Sequence, residues 1–183
     1  MGQDKALLPL NGQPMIQHIA ATMQSVVAPV CIVSDRTEPY RFLNLPVIPD
    51  LVKDAGPIGG IHAALTTLGA PAVLTAGCDT PFLSTPLFRH LLNAPHTSPA
   101  LVARADNGLH PLCAVYRREA LPLIEQFLRA GRFKLLDLLD ELGADIIDIS
   151  PDLPFYRSDL FVNVNDPSAH LRLNGTDTPG NRR

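Results

Sequence analysis

Short apolar runs alternate with helix-period segments along most of this chain, and that alternation constrains the fold more than any other feature. The runs are four or five residues long, which is typical of buried strands. Strands separated by amphipathic helices predict an α/β domain with a mainly parallel sheet, because parallel strands need a long crossover connection. The strand candidates are residues 30–34, 46–49, 72–76, 100–103, 112–116, 146–149 and 161–164. The helix candidates are residues 14–27, 58–68, 87–92, 118–129 and 134–142.

The composition excludes several classes of protein. With 46% hydrophobic and 18% charged residues, the chain is too apolar and too weakly charged to be intrinsically disordered. Its net charge of −3, without a block of lysine and arginine, argues against nucleic-acid binding. No apolar run approaches the roughly 18 residues of a membrane span, and the first residues lack the order of a signal peptide. Its 183 residues fit one domain, expected at residues 1–173, with a disordered polar tail at 174–183.

The cysteines indicate the cellular compartment. Cys31, Cys78 and Cys113 are odd in number and far apart in the sequence. This usage fits buried thiols in a reducing cytoplasm better than a disulfide framework or a zinc site. We therefore expect a cytoplasmic protein.

Loops that leave strands are the expected place for chemistry, because α/β sheets bind ligands outside the carboxyl ends of their strands. Asp79 follows the strand candidate at 72–76 after two small residues, Gly77 and Cys78. A carboxylate there is suited to Mg²⁺, which takes only one or two protein carboxylates beside phosphate and water. The alternative is a turn aspartate, since Asp-Thr-Pro also begins turns.

Two further segments carry groups suited to a nucleotide. Lys5 lies beside Gly2 near the start of the chain, and it is either a point charge for a polyphosphate or a solvated surface lysine. Residues 50–61 place Asp50 at a strand end, followed by a Gly-Pro-x-Gly-Gly turn into a helix. Glycines allow a base or sugar to approach the backbone closely, although such turns also occur as ordinary connections.

Two asparagines follow near the end of the chain. Asn163 and Asn165 are expected on one face of the strand candidate at 161–164, and Asn165 is placed to offer a neutral oxygen to the same cation. The alternative is that residues 165–167 begin a last helix, with Asp166 as its N-cap.

In their order along the chain, these motifs resemble the molybdenum cofactor guanylyltransferases, a family of nucleotidyltransferases. The chain opens with MGQDKALL and LNGQP, and continues with Asp50, GPIGG at 56–60, CDTP at 78–81, HP at 110–111 and FVNVN at 161–165. The resemblance covers residues 1 to about 173. The combination of MGxDKALL, CDTP and FVNVN is specific, whereas each motif alone is not.

The resemblance implies a fold, a reaction and roles for residues. The implied fold is a three-layer, Rossmann-like nucleotidyltransferase domain, and the implied reaction transfers GMP from Mg²⁺-GTP to the terminal phosphate of molybdopterin, releasing pyrophosphate. By motif, Lys5 and Asp79 are the catalytic candidates, with Lys5 on the GTP phosphates and Asp79 on Mg²⁺. Asp50, Gly59 and Gly60 are candidates for binding the nucleoside. Further candidates are Asn165 for the metal or phosphates, and His110, Arg132 and Lys134 for the pterin phosphate.

The sequence departs from the family in two places. Family members open with an apolar strand and a phosphate-binding LAGGxSxR loop immediately before MGxDK, whereas this sequence begins at that methionine. We therefore expect the N-terminal strand to be missing from the sheet and the native protein to start upstream; a shortened, inactive protein is the alternative. At Val33 some relatives carry an asparagine, and Asp35 is the nearest candidate to replace it.

Other functions remain open at this point. The alternatives are a molybdenum cofactor cytidylyltransferase, a related nucleotidyltransferase, or an inactive remnant that binds nucleotide or cofactor. The expected partners are GTP, the molybdenum cofactor, the enzyme that inserts molybdenum, and chaperones of apo-molybdoenzymes. Neither nucleic acid nor a membrane is expected as a partner.

Overall fold

A four-stranded sheet with helices on both faces forms the centre of the structure, a computed structural model that describes residues 4–164. Asn165 and the predicted tail at 174–183 lie outside the described residues. The strands are β1 (Pro9–Leu10), β2 (Gln13–Pro14), β3 (Ile32–Val33), β4 (Val47–Ile48), β5 (Ala72–Thr75), β6 (Ala100–Ala105), β7 (Gly108–Arg117) and β8 (Asp145–Asp148). The α-helices are α1 (Met15–Gln24), α2 (Gly56–Leu68), α3 (Thr85–Asn93), α4 (Leu121–Arg129) and α5 (Leu135–Glu141). Short 3₁₀ helices occur at Lys5–Leu7, Glu38–Leu43 and Arg118–Ala120.

The sheet has the strand order β5-β7-β6-β8 and is mixed. β6 is parallel to β8, while β7 is antiparallel to both β5 and β6. Three of the four strands therefore run in one direction, as the sequence predicts, and β7 is the exception. The reason is local: only residues 106–107 separate β6 from β7, and a two-residue turn can join antiparallel strands only. Gly108 follows this turn with φ +111°, a conformation that glycine adopts without strain.

Both faces of this sheet are buried, which confirms the predicted three-layer α/β architecture. Along β6, Ala100 and Val102 pack with the helices α2, α4 and α5, whereas Leu101 and Ala103 pack with α3 on the other face. The period of two follows from the pleat of the strand. A strand covered on both sides reads as a continuous apolar run, so the sequence predicts burial here but not which residue faces which layer.

The helices are placed as predicted to within a few residues, and their ends follow local chemistry. Ser84 caps α3, its hydroxyl accepting a hydrogen bond of 3.4 Å from the Leu87 amide. Gly69 ends α2 in the left-handed conformation, with φ +60°. The 3₁₀ helix at Glu38–Leu43 and the hairpin of β1 and β2 were not predicted, because both are too short to show a period.

One predicted strand is wrong. Residues 161–164 form the end of a turn and an irregular segment, with the Val162 amide donating to the Asp159 carbonyl at 3.0 Å. Phe161 and Val164 are buried in two different clusters, and Asn163 between them is exposed. The alternation of valine and asparagine at 162–165 predicted a strand, whereas the residues that are buried, Phe161 and Val164, are three positions apart.

A second, two-stranded sheet pairs β3 with β4 in parallel and stands apart from the four-stranded sheet. An apolar cleft of about 520 Å³ lies between β3 and β5, with α1 on one side and α2 on the other. Within residues 4–164, no strand pairs with the edges of β3 and β5 that line this cleft.

Candidate functional site

Loops from the carboxyl ends of strands meet around the apolar cleft. Asp50, which follows β4, and Gly77 and Cys78, which follow β5, line this one cleft together with Ala6 and Tyr40. The arrangement is the one expected of α/β proteins, where ligands bind beyond the carboxyl ends of strands. The sequence motifs around Lys5, Asp50 and Asp79 are therefore neighbours in space.

The Asp79 carboxylate folds back over Gly77 in a tight turn. The Thr80 hydroxyl donates a hydrogen bond of 3.1 Å to the Gly77 carbonyl and closes this turn. A Cβ atom added at Gly77 would lie only 2.7 Å from Oδ1 of Asp79. Glycine at position 77 is thus required for this position of the carboxylate.

The C-terminal part of the described chain returns to Asp79. The Asn163 side-chain amide donates a hydrogen bond of 2.6 Å to Oδ2 of Asp79, and the Val164 amide donates one of 2.8 Å to the Asp79 carbonyl. The carboxylate is therefore oriented by a residue distant in sequence. Sequence reasoning grouped Asn163 with Asn165 as a motif but did not assign it this contact, and Asn165 lies outside the described residues.

Lys5 begins a one-turn 3₁₀ helix that Asp4 caps. Oδ1 of Asp4 accepts a hydrogen bond of 3.2 Å from the Ala6 amide. Oδ2 accepts one of 2.9 Å from the Tyr40 hydroxyl, and Arg36 approaches it at 3.6 Å. Burial, together with this contact to Asp4, raises the pKa of Tyr40 to about 12, so the hydroxyl remains a donor throughout the neutral range.

The surroundings of Cys78 include charges from both predicted catalytic residues. Burial raises the pKa of the Cys78 thiol, the negative charges of Asp79 and Asp4 raise it further, and the charge of Lys5 lowers it. Ala6 and Cys78, the sequence neighbours of Lys5 and Asp79, line the same cleft. The structure thus brings the two predicted catalytic residues to the same side of the molecule.

Asp50 lies against the first turn of α2. Its Oδ1 is buried without a hydrogen-bond partner among the described residues, and lies 3.7 Å from the position of a Cβ atom added at Gly59. Burial raises the pKa of the Asp50 carboxyl, and the neighbouring charge of Asp35 adds to the effect, while Lys53 opposes it. An unpartnered buried carboxylate oxygen costs about 1–3 kcal/mol, which makes Asp50 a candidate ligand group.

The glycines predicted to line a nucleoside site lie at the start of α2. Gly59 is buried, and an added Cβ would come within 3.0 Å of the Ala55 Cβ. Gly60 lines the cleft, and the nearest atom to an added Cβ is Cγ1 of Val33 at 3.8 Å. Ala55 offers no side-chain cap, so the first amides of this 13-residue helix are not satisfied by a capping side chain.

The three candidates for the pterin phosphate lie in different surroundings. The His110 ring stacks on Phe161 with centroids 4.0 Å apart, and burial lowers the pKa of its imidazole. Arg132 is instead engaged with Glu141 at 2.6 Å and lies over the Phe127 ring. Lys134 precedes α5 and is exposed.

The donor set around Asp79 fits Mg²⁺ better than a metal that needs several protein ligands. Within residues 4–164, no group of three or more His, Cys, Asp or Glu side chains is placed to hold a metal ion. Mg²⁺ commonly binds through one or two carboxylates and completes its shell with substrate phosphates and water. Asp79, with its second oxygen held by Asn163, meets that requirement.

Comparison with known proteins shows which family of domains this chain resembles. Residues 1–145 match the MobA-like NTP transferase domain. A probable molybdenum cofactor guanylyltransferase from Pelotomaculum thermopropionicum is 34% identical over 171 residues, covering 92% of this chain and 82% of that protein. One from Carboxydothermus hydrogenoformans is 31% identical over 175 residues, covering 94% and 88%.

A solved structure agrees with these relatives. The crystal structure of molybdopterin-guanine dinucleotide biosynthesis protein A from Archaeoglobus fulgidus superimposes with a TM-score of 0.75 at 25% identity. The superposition covers 94% of this chain and 89% of that one. Among the described residues, no helix is long and apolar enough to cross a membrane.

Proposed function

The chain belongs to the MobA-like NTP transferase family, and from that premise we propose that it transfers GMP from GTP to the terminal phosphate of molybdopterin in the molybdenum cofactor. The transfer releases pyrophosphate and forms the guanine dinucleotide cofactor. The observation that carries the proposal is that Ala6, Asp50 and Cys78 line one cleft, because this brings together the loops that carry Lys5, Asp50 and Asp79.

The reaction requires two anions to approach each other. A phosphate oxygen of molybdopterin attacks the α-phosphorus of GTP, and the bond to the pyrophosphate oxygen breaks. Catalysis therefore depends on positioning and on charge stabilisation, and no protein nucleophile is needed. Bound Mg²⁺ supplies positive charge to the phosphate oxygens.

Asp79 and Lys5 supply the electrostatic part of the site. Asp79 holds Mg²⁺ through its carboxylate, and Asn163 keeps one oxygen of that carboxylate in place. Lys5 places its ammonium against the triphosphate, and the Asp4 cap fixes the turn from which it projects. Asn165 remains a candidate to provide a neutral oxygen ligand for the same Mg²⁺ ion.

Asp50 and the start of α2 bind the nucleoside. The unpartnered Oδ1 of Asp50 accepts hydrogen bonds from donor groups on the edge of the base. Gly59 and Gly60 keep the surface beside it free of side chains. Buried acceptors reject ligands that lack the matching donors, because the acceptor would otherwise remain unpaired.

The apolar cleft is the proposed place of one further strand. The Ile32 and Ser34 amides bond to β4, so by alternation the backbone groups of residues 31 and 33 point away from it, towards the cleft. The Pro71 carbonyl bonds to Arg118, so the groups of residue 72 and residue 74 point away from β7 in the same way. A strand pairing with both edges would join the two sheets.

Extending the chain tests this part of the proposal. We expect an apolar strand and a glycine-rich loop placed before Met1 to slow hydrogen exchange at the amides of Val33 and Leu74. The same extension with prolines in the strand cannot form a central strand of the sheet and serves as the control. Unchanged exchange at both amides would show that the cleft takes no strand.

Cellular context follows from the reaction and the thiols. The three cysteines are free, which suits the reducing cytoplasm, but only Cys113 is buried as expected: Cys31 is half-buried and Cys78 is exposed. The partners that the reaction calls for are the enzyme that inserts molybdenum and the chaperones of apo-molybdoenzymes, which supply its substrate and take its product.

A transfer assay tests the function. The protein, both starting at Met1 and extended upstream, is incubated with molybdenum cofactor, Mg²⁺ and GTP or CTP, and dinucleotide and pyrophosphate are measured. We expect transfer with GTP, and its loss in Asp79→Ala with the fold retained. The exposed Asp152→Ala is the control. Transfer from CTP alone would indicate a cytidylyltransferase. Binding of the cofactor without release of pyrophosphate would indicate a binding protein. Activity in Asp79→Ala would show that the metal assignment is wrong.

A further inference from the structure

Two loops at the mouth of the cleft are joined by the Asp35 carboxylate. Asp35 follows β3, and its Oδ1 accepts a hydrogen bond of 3.2 Å from the backbone amide of Asp50, which follows β4. The Lys53 ammonium pairs with the same oxygen. One exposed carboxylate thus accepts a hydrogen bond from the backbone of the segment that carries Asp50 and forms an ion pair with a lysine of the same segment.

The pair has little to contribute to stability. The side chains of Asp35 and Lys53 are 44% and 62% exposed, and exposed ion pairs contribute about 0–1 kcal/mol. The neighbouring Asp50 carboxylate has a buried oxygen without a partner among the described residues, which is an arrangement suited to binding a ligand. A role in placing that oxygen explains the geometry better than a role in folding.

We propose that Asp35 is a positioning residue for nucleotide selection, and that together with Lys53 it holds the Asp50 carboxylate against the first turn of α2 for contact with the base. This inference rests on the proposed function, because it assumes that Asp50 contacts a nucleobase. It assigns a role to Asp35, a residue that lies outside the motifs of the family resemblance.

The two members of the pair act on Asp50 in opposite ways. The negative charge of Asp35 raises the pKa of the Asp50 carboxyl, after the larger effect of burial, and the positive charge of Lys53 lowers it. The first turn of α2 carries no acidic residue. Among the described residues, Asp35 and Lys53 are the charged side chains that shift the pKa of the Asp50 carboxyl.

Measurement of GTP affinity in variants of Asp35 distinguishes a positioning role of its side chain from an effect of its charge. Asp35→Ala removes the acceptor of the Asp50 amide, and we expect it to weaken GTP binding about fivefold to tenfold, the effect of one lost hydrogen bond. Asp35→Asn keeps an acceptor oxygen and is expected to restore most of the affinity. Asp148→Asn disrupts another exposed ion pair, with Arg104, and serves as the matched control. Equal affinity in Asp35→Ala and the wild-type protein would overturn the proposal.

Titration of Asp50 in the ligand-free protein gives an independent readout. We expect the Asp50 pKa, followed by the carbon chemical shift of its carboxyl group, to fall in Asp35→Asn and to rise in Lys53→Met. A structural role alone would move both variants in the same direction, since each breaks the same ion pair; that result, or no shift, would overturn the inference. The titration uses no nucleotide, so a failure of GMP transfer in the wild-type protein leaves its outcome interpretable.

Discussion

The Asn163 amide donates a hydrogen bond of 2.6 Å to Oδ2 of Asp79, a residue 84 positions earlier in the sequence. The bond fixes the orientation of a carboxylate whose other oxygen lies over Gly77. Partners of this kind are important in metal sites, because an unrestrained carboxylate can rotate away from the ion.

Removal of the Asn163 amide is expected to weaken the proposed metal site at Asp79 and spare the fold. Loss of such a partner typically lowers metal affinity or activity about tenfold to hundredfold. We expect Asn163→Ala to raise the Mg²⁺ concentration at half-maximal transfer, measured at saturating GTP. The change in melting temperature should be small, because Asn163 is exposed. An unchanged Mg²⁺ dependence would contradict the role of this hydrogen bond.

A methyl group at position 77 is expected to displace the Asp79 carboxylate. The added Cβ of Gly77→Ala would lie 2.7 Å from Oδ1, closer than atoms can approach, and the carboxylate is the group free to move. A displacement of about 1 Å can lower a rate about a hundredfold. We expect kcat to fall by about that factor, while the free energy of unfolding changes by less than about 1 kcal/mol. Full activity in a folded Gly77→Ala protein would show that the carboxylate position is not critical.

The Tyr40 hydroxyl is expected to influence Lys5 through Asp4. Tyr40→Phe removes the 2.9 Å hydrogen bond to Asp4 and loosens the cap of the turn that presents Lys5. We expect kcat/KM for GTP to fall about fivefold, the effect of one hydrogen bond. Because the pKa of Tyr40 is raised to about 12, the ratio of wild-type to variant activity should stay constant from pH 6 to pH 10.

Tyr156→Phe is the matched control for Tyr40→Phe. Tyr156 also donates to an aspartate, Asp106, at 3.3 Å, but on an exposed surface outside the cleft. We expect no change in kcat/KM for this variant. Equal losses in both variants would mean that Tyr40 does not act through Asp4.

The stability of the protein is expected to depend on pH through His110. Burial lowers the pKa of this imidazole below its usual value of 6.5, so the unfolded chain binds a proton at a higher pH than the folded protein does. Stability is therefore fully present above about pH 7 and decreases as the pH falls below 6.5.

His110→Gln tests this assignment. Thermal unfolding from pH 7.5 to pH 5 should show a smaller decrease in melting temperature for the variant, although loss of the stacking on Phe161 lowers its stability at every pH. An equally steep decrease in both proteins would assign the pH dependence to other groups.

The sequence predicts the layers of this fold well because burial is encoded in single segments. The runs at β5 and β6 are apolar on both faces, and helices with an apolar face must cover them. The direction of β7 was missed, although Asn107-Gly108 at its start is a strong hairpin signal. The motif around Asn163 was predicted to be a strand because valine and asparagine alternate at 162–165, although the buried residues Phe161 and Val164 are three positions apart and lie in separate clusters.

The candidate site is predictable in part for a similar reason. Asp79 and Asp50 each follow a recognisable strand, so their position at one edge of the sheet can be inferred from local sequence. Asn163 contacts Asp79, and Asp35 contacts the Asp50 amide. Both contacts join segments that are separate in the sequence, so a local sequence pattern cannot predict them. The requirement for glycine at position 77 depends on how a side chain two residues later folds back, which only coordinates show.

The bonds from Asn163 and Val164 to Asp79 also set the order in which the site can be assembled during protein synthesis. The ribosome makes the loop carrying Asp79 long before it reaches position 163, so a nascent chain can form much of the sheet while this carboxylate still lacks its partner. Under the proposed role of Asp79, the metal site is therefore completed late in translation, after residue 163 has been added to the chain.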